Sequence, residues 1–173
     1  LPTPLRVGEM PLRAINISKS FGDKTIFENL NFSIVRGQRI AIIGRNGAGK
    51  STLIKILIGL LDCDSGEVIR NERIDIGHYS QEFETFDMDK NLLDTFMETC
   101  NVTESFARPF LGKFMFLGKK VFQSVDTLSG GEKTRLSIAM LTGKPHNVLV
   151  LDEPTTYLDV LSQRIILDAL KSY

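Results

Sequence analysis

What the 173-residue chain lacks narrows its class. It has no net charge, because 21 lysines and arginines balance 21 aspartates and glutamates. A balanced chain is not a polycation, so composition makes no case for nucleic-acid binding. It has no long hydrophobic run. The longest, Ile56 to Leu61, falls far short of the roughly 18–20 residues that cross a bilayer as a helix. The first residues, with prolines and a Gly8-Glu9 pair, offer no apolar stretch of the kind a signal peptide needs. Cysteine is scarce: Cys63 and Cys100 stand far apart in no metal-binding or redox spacing, and read as two free thiols in a reducing compartment. There is no internal repeat and no low-complexity tract. What is present is a hydrophobic share of 42%, enough for a sizeable core and enough to set disorder, coiled coil and collagen-like architecture aside.

At about 150 residues per domain, the length predicts one domain with room for a small subdomain. Residues 1–10 contain prolines and no periodicity, and read as a linker or the tail of a preceding segment. The domain is expected over 11–173. Strands are expected at Leu12–Ile17, Phe32–Val35, Arg39–Ile43, near Glu67–Ile69 and at Ile74–Tyr79, and the unbroken apolar run Val148–Leu151 reads as a strand buried on both faces of a parallel sheet. Helices are expected over Lys50–Leu61, around Leu92, Leu93, Phe96 and Met97, through Phe110–Leu117, over Gly130–Leu141 and around Ile165, Ile166, Ala169 and Leu170. Strands alternating with helices at both ends predict an α/β fold with a parallel sheet. Residues 82–127 read as a helical subdomain inserted into it. Charge is uneven: Asp62 to Glu104 holds twelve acidic and three basic residues, Arg108 to Arg135 six basic and two acidic. The plain reading is two solvated faces; the other is a docking surface of mixed sign.

Three motifs carry chemistry. Gly44-Arg45-Asn46-Gly47-Ala48-Gly49-Lys50-Ser51-Thr52 fits the phosphate loop G-x-x-x-x-G-K-[ST], between an apolar run and a predicted helix. Glycines let backbone N–H groups turn inward as a nest for phosphate oxygens, and the helix start adds its positive dipole end. Lys50 can reach the β- and γ-phosphates, and the Ser51 hydroxyl can ligate Mg²⁺. The second motif is the apolar run ending in Asp152-Glu153. Asp152 suits a metal, and Glu153 suits a general base acting on water. Alone it is weak, since any buried strand can end in acids; beside a phosphate loop it is strong. The third is Leu128-Ser129-Gly130-Gly131-Glu132, a possible second anion-binding helix start. A lone pentapeptide of this kind is more often a capping turn. One nucleotide has no use for two such termini, but a dimer does, because the second can cover a γ-phosphate held by a partner.

These motifs, in this order, resemble the nucleotide-binding domain of ATP-binding cassette (ABC) ATPases, over nearly the whole chain from Leu12 to Tyr173. The resemblance implies a phosphate-loop NTPase core with a parallel sheet, an antiparallel β piece and a helical insert. It implies ATP and Mg²⁺ as ligands. Gly44, Asn46, Gly47, Ala48, Gly49, Lys50, Ser51 and Thr52 would hold the nucleotide. Phe21, 23 residues before Gly44, would stack on adenine; otherwise it is a core phenylalanine. Gln81 would act with Glu153 in catalysis and with Ser51 and Asp152 at the metal. Ser129 and Gly131 would cover the nucleotide of a second cassette packed head to tail, and Asp159 would cross that interface.

Long coiled coils, zinc modules and clustered cysteines, which mark other classes, are absent from the sequence. The compact insert, with 46 residues between Gln81 and Leu128, resembles the F-subfamily of soluble tandem ATPases that act on ribosomes. So does the pattern of Arg108, Leu111, Phe114 and Phe116 before Leu-Ser-Gly-Gly-Glu-Lys. Pro154-Thr155-Thr156-Tyr157-Leu158-Asp159 departs from that subfamily's usual Asn-His. The family's switch histidine has no counterpart, since His78 and His146 stand in the wrong places, so the chain is expected to be a cassette lacking its C-terminal part. The expectation is therefore a cytoplasmic Mg-ATPase, half of an F-type protein acting in translation, with a second cassette and the ribosome as partners and no membrane insertion of its own. The alternative is the motor subunit of an ABC transporter.

Overall fold

The computed structural model describes residues 8–80, 86–87, 89–156, 158–171 and 173. Two compact units divide the chain. A sheet unit holds the described residues up to Gly77 together with Asn147–Val150, and a helical unit holds His78–His146 and Leu151–Tyr173.

In the sheet unit, β1 (Leu12–Phe21), β2 (Lys24–Ile34) and β3 (Ser65–Arg70) form an antiparallel sheet in the order β2-β1-β3. Its core-facing residues on β1 are Leu12, Ala14 and Ile17, an interval of two and then three. The register of β1 against β2 shifts between Ala14 and Ile17, and Asn16 there takes φ 49. A bulge of this kind inserts one residue and resets the alternation, so Ile17 returns to the core face. The same face receives α1 (Lys50–Ile58): Ile56 and Leu57 pack with Leu12, Ala14 and Ile17 in one buried cluster. The helix stops at Ile58, three residues before the expected Leu61, because Gly59 adopts φ 84 and turns its N–H back to the Ile56 carbonyl. Arg70 of β3 closes that end. Its Nε donates to the Leu57 carbonyl at 2.8 Å and its Nη2 to the Ile56 carbonyl at 2.6 Å. A cation at a helix C-terminus complements both the orphan carbonyls and the dipole.

The strands β4 (Ile76–Tyr79) and β5 (Val148–Leu151) pair with each other. The Val148 N–H donates to the Asp75 carbonyl at 3.2 Å and the Asp152 N–H to the Tyr79 carbonyl at 3.0 Å, so both strands advance in the same direction and the pair is parallel. The α/β class with parallel and antiparallel β parts is therefore present. Two strand expectations need correction. Residues 39–43 form no strand, and Ile40, Ile42 and Ile43 are 48%, 40% and 92% exposed. An apolar run becomes a strand only where it joins the hydrogen-bonded ladder of a neighbouring strand, which local apolar character does not decide. Likewise Val148–Leu151 is half-buried throughout rather than covered on both faces, in a sheet that has two strands among the described residues.

The helical unit packs α2 (Leu92–Cys100), α3 (Glu104–Gly112), α4 (Gly130–Gly143) and α5 (Val160–Lys171) around Leu92, Phe96, Leu111, Leu136, Ile138 and Ile166, each 0% exposed. Phe96, Phe106 and Phe114 each stack on Phe110, with ring centroids 5.4–5.8 Å apart. The helix expected through Phe110–Leu117 ends at Gly112. Beyond it Phe114 and Phe116 are buried while Met115 and Leu117 are exposed, a period of two that no helix produces, and Met115 sits at φ 65.

Replacing Arg70 by Met removes two charge-assisted bonds to the end of α1. A loss of about 1–3 kcal/mol is expected in denaturant unfolding followed by circular dichroism; unchanged stability would contradict the capping role.

Candidate functional site

The phosphate loop ends where α1 begins. Gly49 is the N-cap at φ 94, no side chain caps the helix, and its first turn contains no acid. By contrast α2 is capped by the Asn91 side chain, and α5 by Asp159, which accepts from the Ser162 N–H at 2.9 Å. The first N–H groups of any helix have no intrahelical partner. At α1 no side chain caps them. Lys50, the first residue of the helix, folds back over the loop, its ammonium donating to the carbonyls of Gly44 at 3.2 Å and Arg45 at 3.3 Å. The loop thus presents backbone donors and one cation at a single helix start, a set that fits phosphate oxygens and repels cations.

Glycine is required at position 49 twice over. Its φ is left-handed, and a Cβ there would lie 2.1 Å from Cγ2 of Ile26 on β2. That close approach also places the loop. The β1–β2 register pairs Phe21 with Lys24, two residues before Ile26, so the hairpin end and the phosphate loop meet in the sheet unit. Phe21 is 52% exposed there, not a core phenylalanine. The Lys19 ammonium stands 5.4 Å from its ring centroid and is held by Asp64 at 2.6 Å. Hydrogen bonds from Lys19 and from the Ser20 amide hold the Asp64 carboxyl below the ordinary carboxylate range.

In the helical unit, Asp152 and Glu153 follow β5 directly. Asp152 is half-buried, Glu153 exposed. Glu153 sits at φ 50, a left-handed conformation that costs a non-glycine residue about 1–3 kcal/mol. The following turn fixes it: the Thr156 N–H donates to the Glu153 carbonyl and the Thr156 hydroxyl to Glu153 Oε2, both at 3.2 Å. Gln81 and Tyr157 lie outside the described residues. Asp159 holds the start of its own helix, accepting also from the Ser162 hydroxyl at 2.7 Å, and these bonds lower its pKa.

The Ser129 turn opens α4 as a capping box. Ser129 N–H donates to Glu132 Oε2 at 2.9 Å, and the Glu132 N–H donates to the Ser129 hydroxyl at 3.3 Å. The carboxylate also receives the Lys120 ammonium, and its pKa falls to about 2, first through Lys120 and then through the Ser129 amide. Because the folded value lies below the ordinary 4.5, this group stabilises the fold fully above about pH 4.5 and ceases to as the pH falls toward 2.

With this geometry in place, comparison with known proteins is decisive. Residues 27–156 match the family described as ABC transporter. The chain belongs to the ATP-binding cassette family. As a cassette it is 38% identical over 172 residues to ABC transporter F family member 5 of Arabidopsis thaliana, covering 96% of this chain and 24% of that protein. It is 36% identical over 178 residues to the energy-dependent translational throttle protein EttA of Haemophilus influenzae, covering 100% of this chain and 32% of that one. The cassette thus spans about a quarter to a third of the length of these relatives. A putative ABC transporter ATP-binding protein from Pyrococcus furiosus, 22% identical, shares the fold with a TM-score of 0.80 over 93% of this chain and 84% of its own. No helix among the described residues is long and apolar enough to cross a membrane.

The sequence reading has the Ser129 turn as a cap and misses the cation that joins it. The Ser129-x-x-Glu132 box is legible as S-x-x-E before an apolar run. The Lys120 partner, twelve residues earlier, carries no local signal.

Gly49→Ala is expected to destabilise the sheet unit by about 2–4 kcal/mol, from strained φ and overlap with Ile26. Ile26→Ala in the same chain should recover only part of it in thermal unfolding. Full recovery would show that φ at position 49 costs nothing.

Proposed function

We propose that this cassette binds and hydrolyses Mg-ATP as one half of an F-type ATPase acting in translation. The observation that carries the reading is the uncapped start of α1 with the Lys50 ammonium folded over it. In this reading the nest from Gly44 to Thr52, with Asn46, Gly47, Ala48 and Gly49, takes the phosphates, and Lys50 neutralises them. Phe21, exposed at the hairpin end that meets the loop, stacks on the base. Such stacking contributes about 1–3 kcal/mol and tolerates different bases.

On the family resemblance, Ser51, Asp152 and Gln81 would supply oxygen donors, the kind that Mg²⁺ takes alongside phosphate oxygens. When bound, Mg²⁺ supplies charge neutralisation at those oxygens. Glu153 accepts a proton from the attacking water; its left-handed backbone, fixed by Thr156, sets the direction of its carboxylate. Ser129 and Gly131 cover the γ-phosphate of a second cassette, packed head to tail in the same protein or a homodimer. ABC cassettes generally work as paired domains. Similarity to the F family member and to the translational throttle protein supports the ribosome as the larger partner and the cytoplasm as the location. In domain terms, 1–10 is a linker or the tail of a preceding segment, 11–173 the cassette and about 82–127 its helical subdomain.

The test is Glu153→Gln in the complete protein. Turnover should fall by roughly 10²–10⁴-fold, the range of general-base catalysis. ATP should still bind, and the variant should sediment with ribosomes in ATP. Sedimentation with membranes instead would favour a transporter motor, and recovery with neither would contradict a role in translation.

A further inference from the structure

Lys120 belongs to the basic segment that reads as a solvated face, yet its ammonium meets Glu132 rather than water alone. The Glu132 carboxylate is divided between two tasks. Oε2 takes the N–H and the hydroxyl of Ser129 at 2.9 and 3.1 Å, and Oε1 takes Lys120. The guanidinium of Arg135, over the Phe116 ring at 5.5 Å, stands 3.9 Å from the same Oε1, beyond hydrogen-bond length. Lys120 is therefore the cation in direct contact. It comes from the short 3-10 turn Gly118–Phe122, and it is 37% exposed against 18% for Glu132.

This arrangement has an electrostatic consequence. A carboxylate at a helix start suits the dipole. It also sets a negative charge at the turn that, on the proposed function, must receive the terminal phosphate of another cassette's nucleotide. The turn is open to that approach: Gly130 has no heavy atom within 4 Å of where a Cβ would stand. An uncovered carboxylate there would repel the phosphate, and it would be free to swing away from Ser129.

We propose that Lys120 is a positioning residue for the Ser129 turn, pinning Glu132 against the helix start and cancelling its charge so that the nucleotide of a paired cassette can close onto Ser129 and Gly131. This inference rests on the proposed function. It assigns a part to a side chain outside the phosphate loop and outside the acids that follow β5.

The experiment places Lys120→Met and Lys120→Arg in the complete protein, each with and without Glu153→Gln. In the turnover-competent forms, Lys120→Met should lower kcat by roughly tenfold and leave KM for ATP within about twofold, because one near charge of either sign shifts an equilibrium by about that factor or more. In the Glu153→Gln forms, ATP-driven closure of the paired cassettes, read by small-angle X-ray scattering, should need roughly tenfold more ATP with Met than with Lys. Arg, which keeps the charge, should restore both. Unchanged kcat and closure in Lys120→Met would overturn the inference. So would failure of Arg to restore them, or a Met variant whose ellipticity falls and whose KM rises with kcat intact, since those mark a purely structural residue. Absence of ATP-driven closure with Lys120 intact would overturn the functional reading itself, and this inference with it.

Discussion

The structure turns on one bare helix end. At α1 the first-turn N–H groups meet neither a capping side chain nor an acid, and a lysine ammonium is folded over the same place. A helix start without a cap is a cost to the fold, because orphan donors must be satisfied by water or a ligand. Three other helix starts avoid that cost, held by side-chain oxygens of Asn91, of Ser129 with Glu132, and of Asp159; α3, whose Thr103 makes no side-chain cap bond, has Glu104 in its first turn. Where the phosphate loop ends there is neither a capping side chain nor an acid, a helix start that suits an anion.

The rest of the sheet unit serves to hold that end in place. Hydrophobic burial of Ile56 and Leu57 against Leu12, Ala14 and Ile17 fixes the helix on the sheet. Arg70 ties the far end of the helix to β3, and Ile26 of β2 fills the space that Gly49 leaves. The bulge at Asn16 belongs to the same design, since without it Ile17 would leave the core face. The contrast between the start of α1 in the sheet unit and the start of α4 in the helical unit is informative. Both Gly49-Lys50 and Ser129-Gly130 open helices, but α4 already carries its own carboxylate, balanced by Lys120. The first terminus suits a permanent phosphate cradle, the second a surface whose charge is tuned by its neighbours.

Much of this was legible in the sequence. The phosphate loop, the helix after it and the acids after Val148–Leu151 follow from motif and local pattern, and their elements are present. The capping-turn reading of Ser129 was correct locally, and it does not compete with a role for the turn, since Glu132 fills Ser129 and leaves Gly130 open. What was not legible depends on partners distant in sequence. Residues 39–43 look like a strand because they are apolar, but pairing decides a strand, and no alternation encodes it. Phe114 and Phe116 extend the apolar character of α3 past its end, where the backbone at Met115 turns left-handed. Lys120 meets Glu132 through the fold of the insert alone. The left-handed φ of Glu153 likewise has no sequence signature, although it falls at the residue assigned as general base.

The claim that most needs direct measurement is that the bare start of α1 and the Lys50 ammonium together hold the nucleotide's phosphates. Isothermal titration calorimetry of Mg-ATP into the wild-type protein and into Lys50→Ala isolates it. Removing a cation from a phosphate site built around it should weaken binding by roughly tenfold or more. Equal affinities would mean that the anion is held elsewhere, and that the uncapped helix start has some other cause.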